Sequence, residues 1–159
     1  MRAKLKASAQ RVQDALQHHG LSCEVVQMQE TTRSAKDAAR AVGCEVGQIA
    51  KSLVFKGTQS QQPVLVITSG ANRVNEKTIA QNLAESIKMA DPEFVRETTG
   101  FAIGGVPPAG HRQPLKIIID EDLLRYEEIW AAAGTPHAVF KLTPDELIMI
   151  TNGTVICVK

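Results

Sequence analysis

The chain has 159 residues, 43% of them hydrophobic and 22% charged, and its formal net charge is +1. The length fits one domain spanning residues 1–159, and apolar runs such as PVLVIT are too short to cross a membrane. Three widely separated cysteines lack metal-ligand spacing, and their odd number without a signal peptide indicates a reducing cytoplasm.

The charge is unevenly distributed along the chain. Residues 1–60 carry nine Lys and Arg against five Asp and Glu, whereas residues 121–159 carry three against six. A basic N-terminal third is compatible with contact to phosphate, and equally with an ordinary solvated face. Charge alone therefore does not decide whether the partner is a nucleic acid.

The predicted elements alternate irregularly between helices and strands. Before Gln61 the sequence predicts a helix in KASAQRVQDALQHHG, a strand in SCEVVQMQ, a helix in AKDAARAVG, a helical turn near EVGQ and a strand in IAKSLVFKG. After Gln61 it predicts a central strand in PVLVITSG, helices in EKTIAQNLA and from Asp91 to Gly100, and a strand in LKIIID. A helical turn in EDLLRYEEI, two short strands joined at Gly134, a helix begun by Thr143 and a strand in TVICVK complete the chain.

Several of these strands follow one another through short turns. This order favours an α+β fold, with a curved mixed sheet partly closed toward a barrel and flanking helices, over a doubly wound parallel sheet. The sequence contains neither GxGxxG nor GxxxxGK[ST], so it lacks the usual nucleotide-binding fingerprints.

Lys51 lies in an apolar strand. If residues 49–55 are extended, alternation places Lys51 on the same face as Ile49, Leu53 and Phe55. An ammonium on such a face must find a partner, lose its proton, or extend its charged end to water. The pattern alone allows both a catalytic lysine and one that reaches solvent at the start of a strand.

The segment TGFAIGGVPPAGH, residues 99–111, has more glycine and proline than a connection needs. Gly104 and Gly105 permit close approach of backbone to a ligand, and Pro107 and Pro108 stiffen the second half of the loop. Such a loop could present the amides of Gly105 and Val106 to a carbonyl oxygen that gains negative charge, with His111 as proton donor or acceptor. A rigid structural loop with an exposed histidine explains the composition equally well.

A second glycine turn comes after the run AAA. Gly134 and Thr135 could approach the same ligand, although a Gly-Thr-Pro sequence is more often only a turn. The sequence has no Ser-His-Asp pattern or paired-carboxylate signature. An enzyme built from these residues would depend on positioning and backbone donors.

Taken in order, these segments resemble the YbaK/prolyl-tRNA editing domain family over nearly the whole chain. The resemblance rests on TRSAKDAARAVG with QIAKSLVFKG, on PVLVITSGANRVN, on Gly104 to Pro108 running to His111, and on WAAAGTPHAVFKLTPDEL. It implies a mixed sheet with flanking helices. It also implies hydrolysis of the ester between a wrong amino acid and the 3′ end of a tRNA, most simply tRNA for proline carrying alanine, cysteine or a similar small amino acid.

The resemblance also implies roles for particular residues. It assigns Lys51 to anchoring the 3′-terminal nucleotide and Gly105 to holding the carbonyl, both as catalytic groups. The substrate-binding residues that it implies are Gly104, Val106, Pro107, Pro108, His111, Gly134 and Thr135. It implies no metal or cofactor, and as partners the acceptor end of a mischarged tRNA and, transiently, a prolyl-tRNA synthetase.

Two other functions remain compatible with the residues. A non-catalytic module that binds tRNA or an amino acid would also lack a protein nucleophile. A hydrolase of another small acyl ester would use the same lysine and amides without tRNA. The hydrolase interpretation requires Lys51 and the loop before the double proline to meet at one cleft.

Overall fold

The computed structural model describes residues 5–159, so residues 1–4 of the predicted domain lie outside the described residues. Within the described range the chain forms five α-helices and eight strands. The helices are α1 (Ala7–His18), α2 (Ala35–Val42), α3 (Glu76–Leu83), α4 (Pro92–Thr99) and α5 (Pro144–Thr151). The strands are β1 (Val25–Gln27), β2 (Ile49–Gly57), β3 (Pro63–Ser69), β4 (Ile87–Met89), β5 (Lys116–Asp120), β6 (Ile129–Ala132), β7 (Ala138–Leu142) and β8 (Thr154–Ile156).

Side-chain caps fix where α2, α4 and α5 begin. The Ser34 hydroxyl accepts from the amide of Asp37 at 3.0 Å, and the Asp91 carboxylate accepts from the amide of Phe94 at 2.8 Å. At α5, the Thr143 hydroxyl and the Glu146 carboxylate form a reciprocal capping box. These bonds confirm the helix starts predicted from the sequence.

The eight strands form one mixed sheet in the order β1-β7-β6-β2-β3-β5-β8, with β4 paired to β2. β2 runs antiparallel to β3 and parallel to β6, while β3 runs parallel to β5. The predicted mixed sheet with flanking helices is confirmed, and β3 is central and buried along its whole length, as its apolar run predicts. The sheet stays open, since β1 and β8 stand at its two ends in the part of the chain that the structure describes.

Helices pack on the sheet through small and aliphatic side chains. α1 contributes Ala9, Val12 and Leu16 to the main core, which contains Ala50 and Val54 from β2. Phe55 lies in a second cluster, so alternate residues of β2 face different sides, as predicted. In residues 5–159 no helix is long and apolar enough to cross a bilayer.

A buried carboxylate holds the end of β3 that lies beside Lys51. Asp120 is fully buried and accepts from the Thr68 hydroxyl at 3.1 Å, the Ser69 amide at 2.9 Å and the Asn72 side chain at 2.8 Å. Thr68 is in turn the register partner of Lys51 across β2 and β3. The carboxylate therefore fixes the strand on which Lys51 is positioned.

Replacing Asp120 with alanine removes this acceptor and leaves several buried donors unpaired. We predict that Asp120→Ala lowers the free energy of unfolding by at least about 3 kcal/mol. Urea denaturation measures the change, and Glu127→Ala, at an exposed position, is the matched control. A loss below about 1 kcal/mol, within the range of ordinary surface substitutions, would contradict the assigned role.

Candidate functional site

One cleft of about 530 Å³ lies beside the N-terminal half of β2. This volume is within the range of small-molecule sites in proteins. Its walls come from β2, β6, the start of α2 and the loop between α4 and β5. The residues that line it include Arg33, Asp37, Ala50, Lys51, Ser52, Gly104, Val106, Trp130 and Ala131.

Lys51 lies at the third position of β2 and lines this cleft. Its side chain is exposed, although its neighbours Ile49 and Ala50 are buried. Among residues 5–159 the Lys51 ammonium makes no ion pair or hydrogen bond. An uncommitted cation at the edge of an apolar strand can bind an anionic group without first breaking an existing ion pair.

The glycine-proline loop forms the opposite wall. Its first part is a turn closed by the Gly105 amide, which donates to the Ala102 carbonyl at 3.1 Å. Gly104 occupies the third position of this turn with φ of 94°, a conformation that favours glycine there. Gly104 and Val106 line the cleft together with Lys51. The structure thus brings the lysine and the loop to one cleft, as the resemblance requires.

The two amides that the sequence singled out differ in their hydrogen bonds. The Gly105 amide is used within the turn, whereas the Val106 amide has no hydrogen-bond partner in the described part of the chain. Val106 is only 4% exposed, and a buried amide normally has a partner. Of the two, the Val106 amide is therefore the donor that a ligand can use without opening the turn.

Gly105 has a second constraint, at its contact with the other glycine turn. The Gly134 amide donates to the Gly105 carbonyl at 2.8 Å. A Cβ at Gly105 would lie 2.8 Å from the Thr135 nitrogen and 2.9 Å from the Gly134 carbonyl carbon. Only glycine at position 105 allows the two backbone segments to come this close. Gly134 and Thr135 therefore contact the loop on the side away from the cleft, and neither residue lines the cleft.

A third loop joins the same turn. The Pro136 carbonyl accepts from the Thr32 amide at 2.6 Å and from the Thr32 hydroxyl at 3.0 Å. Thr32 precedes Arg33, whose aliphatic carbons lie against Gly104. The turn at residues 134–137 thus holds two cleft walls in place.

The remaining predicted site residues lie in the second half of the loop, outside the cleft. Pro107 and Pro108 are buried, and His111 Nε2 lies 2.6 Å from the Pro107 carbonyl oxygen. None of these three residues lines the cleft that contains Lys51. Burial lowers the pKa of His111, and its hydrogen bond to Pro107 offsets only part of that effect. A neutral imidazole that braces Pro107 accounts for this geometry.

Several cleft residues were not identified as candidates from the sequence. Arg33 lines the mouth with an exposed guanidinium, and Asp37 places a carboxylate at the start of α2. Trp130 from β6 and Ser52 from β2 complete the walls. Arg33 and Asp37 fall within TRSAKD, a segment that carries the family resemblance and a predicted helix start but gave no site residue. Ser52 carries no sequence signal beyond its place next to Lys51.

Comparison with known proteins gives a consistent result. The model of the family described as the aminoacyl-tRNA editing domain matches residues 29–150. The protein YwhH of Bacillus subtilis (strain 168) is 31% identical over 124 residues, which cover 78% of each chain. The multifunctional Ser/Thr-tRNA deacylase ProXp-y of Escherichia coli (strain K12) is 30% identical over 136 residues, 83% of this chain and 81% of its own.

The fold also matches solved structures. A crystal structure described as that of a candidate trans-editing enzyme for prolyl tRNA synthetase superposes with a TM-score of 0.93 at 50% identity. The match covers 98% of this chain and 99% of that one. The matched region contains β2, the glycine-proline loop and the turn that supports it.

The lowered pKa of His111 predicts how stability responds to acid. Below about pH 6.5 the unfolded chain binds a proton at this imidazole that the folded protein resists, so folding is disfavoured as pH falls. We predict that wild type loses more unfolding free energy between pH 7.5 and 5 than His111→Gln, whose amide can still donate to Pro107. His18→Gln, at an exposed imidazole, is the control, and equal losses in wild type and His111→Gln would contradict the assignment.

Proposed function

The chain belongs to the aminoacyl-tRNA editing domain family, and from this we propose that it hydrolyses the ester of mischarged aminoacyl-tRNA. Relatives in the family are named as aminoacyl-tRNA deacylases, among them ProXp-y. The substrate we assign is tRNA for proline that carries a small wrong amino acid such as alanine or cysteine. The reaction takes place in the cytoplasm, in transient association with a prolyl-tRNA synthetase.

The observation that carries this proposal is the convergence of Lys51 and Val106 on one cleft. The Lys51 ammonium binds the 3′-terminal nucleotide and so orients the ester. The Val106 amide, preset by the turn at Gly104 and Gly105, donates to the ester carbonyl oxygen. A donor of this kind stabilises the negative charge that develops on that oxygen during attack.

The attacking group is water, oriented by the free hydroxyl of the terminal ribose. Water adds to the carbonyl carbon, the bond to the ribose oxygen breaks, and that oxygen leaves with a proton. The products are the free amino acid and an uncharged tRNA. This route needs no protein nucleophile, because positioning and charge stabilisation supply the acceleration.

Arg33 extends the positive charge at the cleft mouth. Its guanidinium is exposed beside Gly104, where the nucleotides preceding the terminal adenosine enter. Lys51 and Arg33 together provide two cations that can bind a few phosphates of the tRNA. Because few phosphates are neutralised, the affinity depends only weakly on salt concentration.

The deciding experiment is amino-acid release from a panel of alanyl, cysteinyl, seryl and threonyl esters of tRNA for proline. We predict release above the spontaneous rate for at least one of the four. Spontaneous rates for all four would contradict the deacylase assignment. Tight binding of a charged tRNA that stays intact would instead identify a binding module.

Lys51→Ala tests the role of the ammonium. We predict a fall in kcat/KM of at least about tenfold, which corresponds to about 1.4 kcal/mol of transition-state stabilisation. Lys116→Ala is the matched control, since Lys116 is exposed on β5 and lies outside the cleft. A folded Lys51→Ala protein with full activity would remove Lys51 from the mechanism.

A further inference from the structure

The edge of β2 next to the cleft is open. β3 pairs with β2 from Ala50 to Lys56 on one side. On the other side β6 covers Ile49 and Ala50, and β4 covers Phe55 to Gly57. Within residues 5–159, no strand covers residues 51–54 on that second side.

The backbone groups of Ser52 point into this gap. Along a strand in an antiparallel pair, the N–H and C=O of one residue face the same side, and successive residues alternate. The Ile49 carbonyl accepts from Gly70 beyond β3, whereas the Val54 carbonyl accepts from Ala90 beyond β4. Even-numbered residues of β2 therefore direct their N–H and C=O away from β3, and Ser52 directs both toward the cleft that it lines.

The side chain of Ser52 is also uncommitted. Its hydroxyl oxygen is buried and has no hydrogen-bond partner among the described residues. Alternation places the Ser52 hydroxyl on the face of β2 that carries Ala50 and Val54. This face packs into the main core. A buried hydroxyl without a partner destabilises the protein, because its contacts with water are lost and not replaced. The two backbone groups of Ser52 are thus directed at the cleft, and its hydroxyl lies unpaired and buried on the core face beside them.

We propose that the aminoacyl group of the substrate docks on Ser52 as a one-residue extension of the sheet. Its α-ammonium donates to the Ser52 carbonyl, and its ester carbonyl oxygen accepts from the Ser52 amide. Opposed residues of an antiparallel pair exchange the same two bonds, and extended ligands add to open sheet edges in this way. The inference rests on the proposed function, because it needs the ester in this cleft.

This docking gives the ester carbonyl a second donor. A carbonyl oxygen has two lone pairs, so it can accept from the Ser52 amide on one wall and the Val106 amide on the other. The added contact to the α-ammonium selects α-amino acids through a group that their side chains do not share. Acyl groups that lack the amine lose this contact.

The same docking defines the configuration of the amino acid. Residues directly opposite in a strand pair carry their side chains on the same face. The side chain of an L-amino acid then lies beside the Ser52 hydroxyl and the methyl groups of Ala50 and Ala131, three small side chains of residues that line the cleft. A D-amino acid would direct its side chain toward the opposite face. The substrate class is therefore esters of small L-α-amino acids.

The first test compares three esters on one tRNA: the L-aminoacyl ester that wild type hydrolyses fastest, its D enantiomer, and the deamino ester with the same side chain. For each, the measured quantity is kcat/KM divided by the spontaneous hydrolysis rate constant. We expect the deamino ester to lose at least about tenfold, the effect of one hydrogen bond to a charged group, and the D ester to lose similarly. Equal acceleration of all three would overturn the proposal.

The second test compares Ser52→Pro with Ser52→Ala. Both variants lack the hydroxyl, but only proline lacks the amide proton, and proline is tolerated where a strand's N–H faces an open edge. We expect kcat/KM of Ser52→Pro to lie about 10²-fold or more below that of Ser52→Ala, as for loss of an oxyanion donor. Circular dichroism and thermal melting establish that both variants fold.

The outcomes separate this inference from the function on which it rests. If wild type hydrolyses none of the four panel esters, the proposed function and the docking both fail. If wild type is active but folded Ser52→Pro matches Ser52→Ala, only the docking fails. If Ser52→Pro does not fold, the ester comparison alone decides.

Discussion

The close approach of two backbone segments, Gly105 and the turn at Gly134 and Thr135, is the contact on which the cleft depends. It excludes any side chain at Gly105 and is closed by the hydrogen bond from the Gly134 amide to the Gly105 carbonyl. The turn comes directly after β6, which pairs with β2 at Ala50, immediately before Lys51. One short connection therefore sets the distance between the loop amide and the lysine.

Strand β2 supplies the other half of the site, because its two sides have different partners. Its pairing with β3 is continuous and is held near Thr68 by the buried Asp120. Its opposite side is interrupted where β6 ends and before β4 begins. A rigid strand with an open edge presents a fixed cation and fixed backbone groups to a ligand. Those are the features that catalysis by positioning requires.

The sequence predicted the helices, the central strand and the meeting of Lys51 with the loop, because caps, apolar alternation and glycine-proline patterns are local signals. It missed β4, a three-residue strand that lies between two predicted helices. It also named the amides of both Gly105 and Val106 as donors, and in the structure the turn uses the Gly105 amide while the Val106 amide has no partner in the described residues. The Gly105 amide is used by a local turn whose closure the composition of the loop does not specify. The places of Ser52 and Asp37 in the cleft depend instead on tertiary contacts that one segment does not encode.

The most direct measurement is a crystal structure with an adenosine whose 3′ position carries the amino acid through a stable amide. We predict the Lys51 ammonium within about 4 Å of an oxygen of the nucleotide, and the Val106 nitrogen about 2.9 Å from the acyl carbonyl oxygen. A ligand bound outside this cleft, or bound with its carbonyl turned away from the loop, would contradict the assigned mechanism.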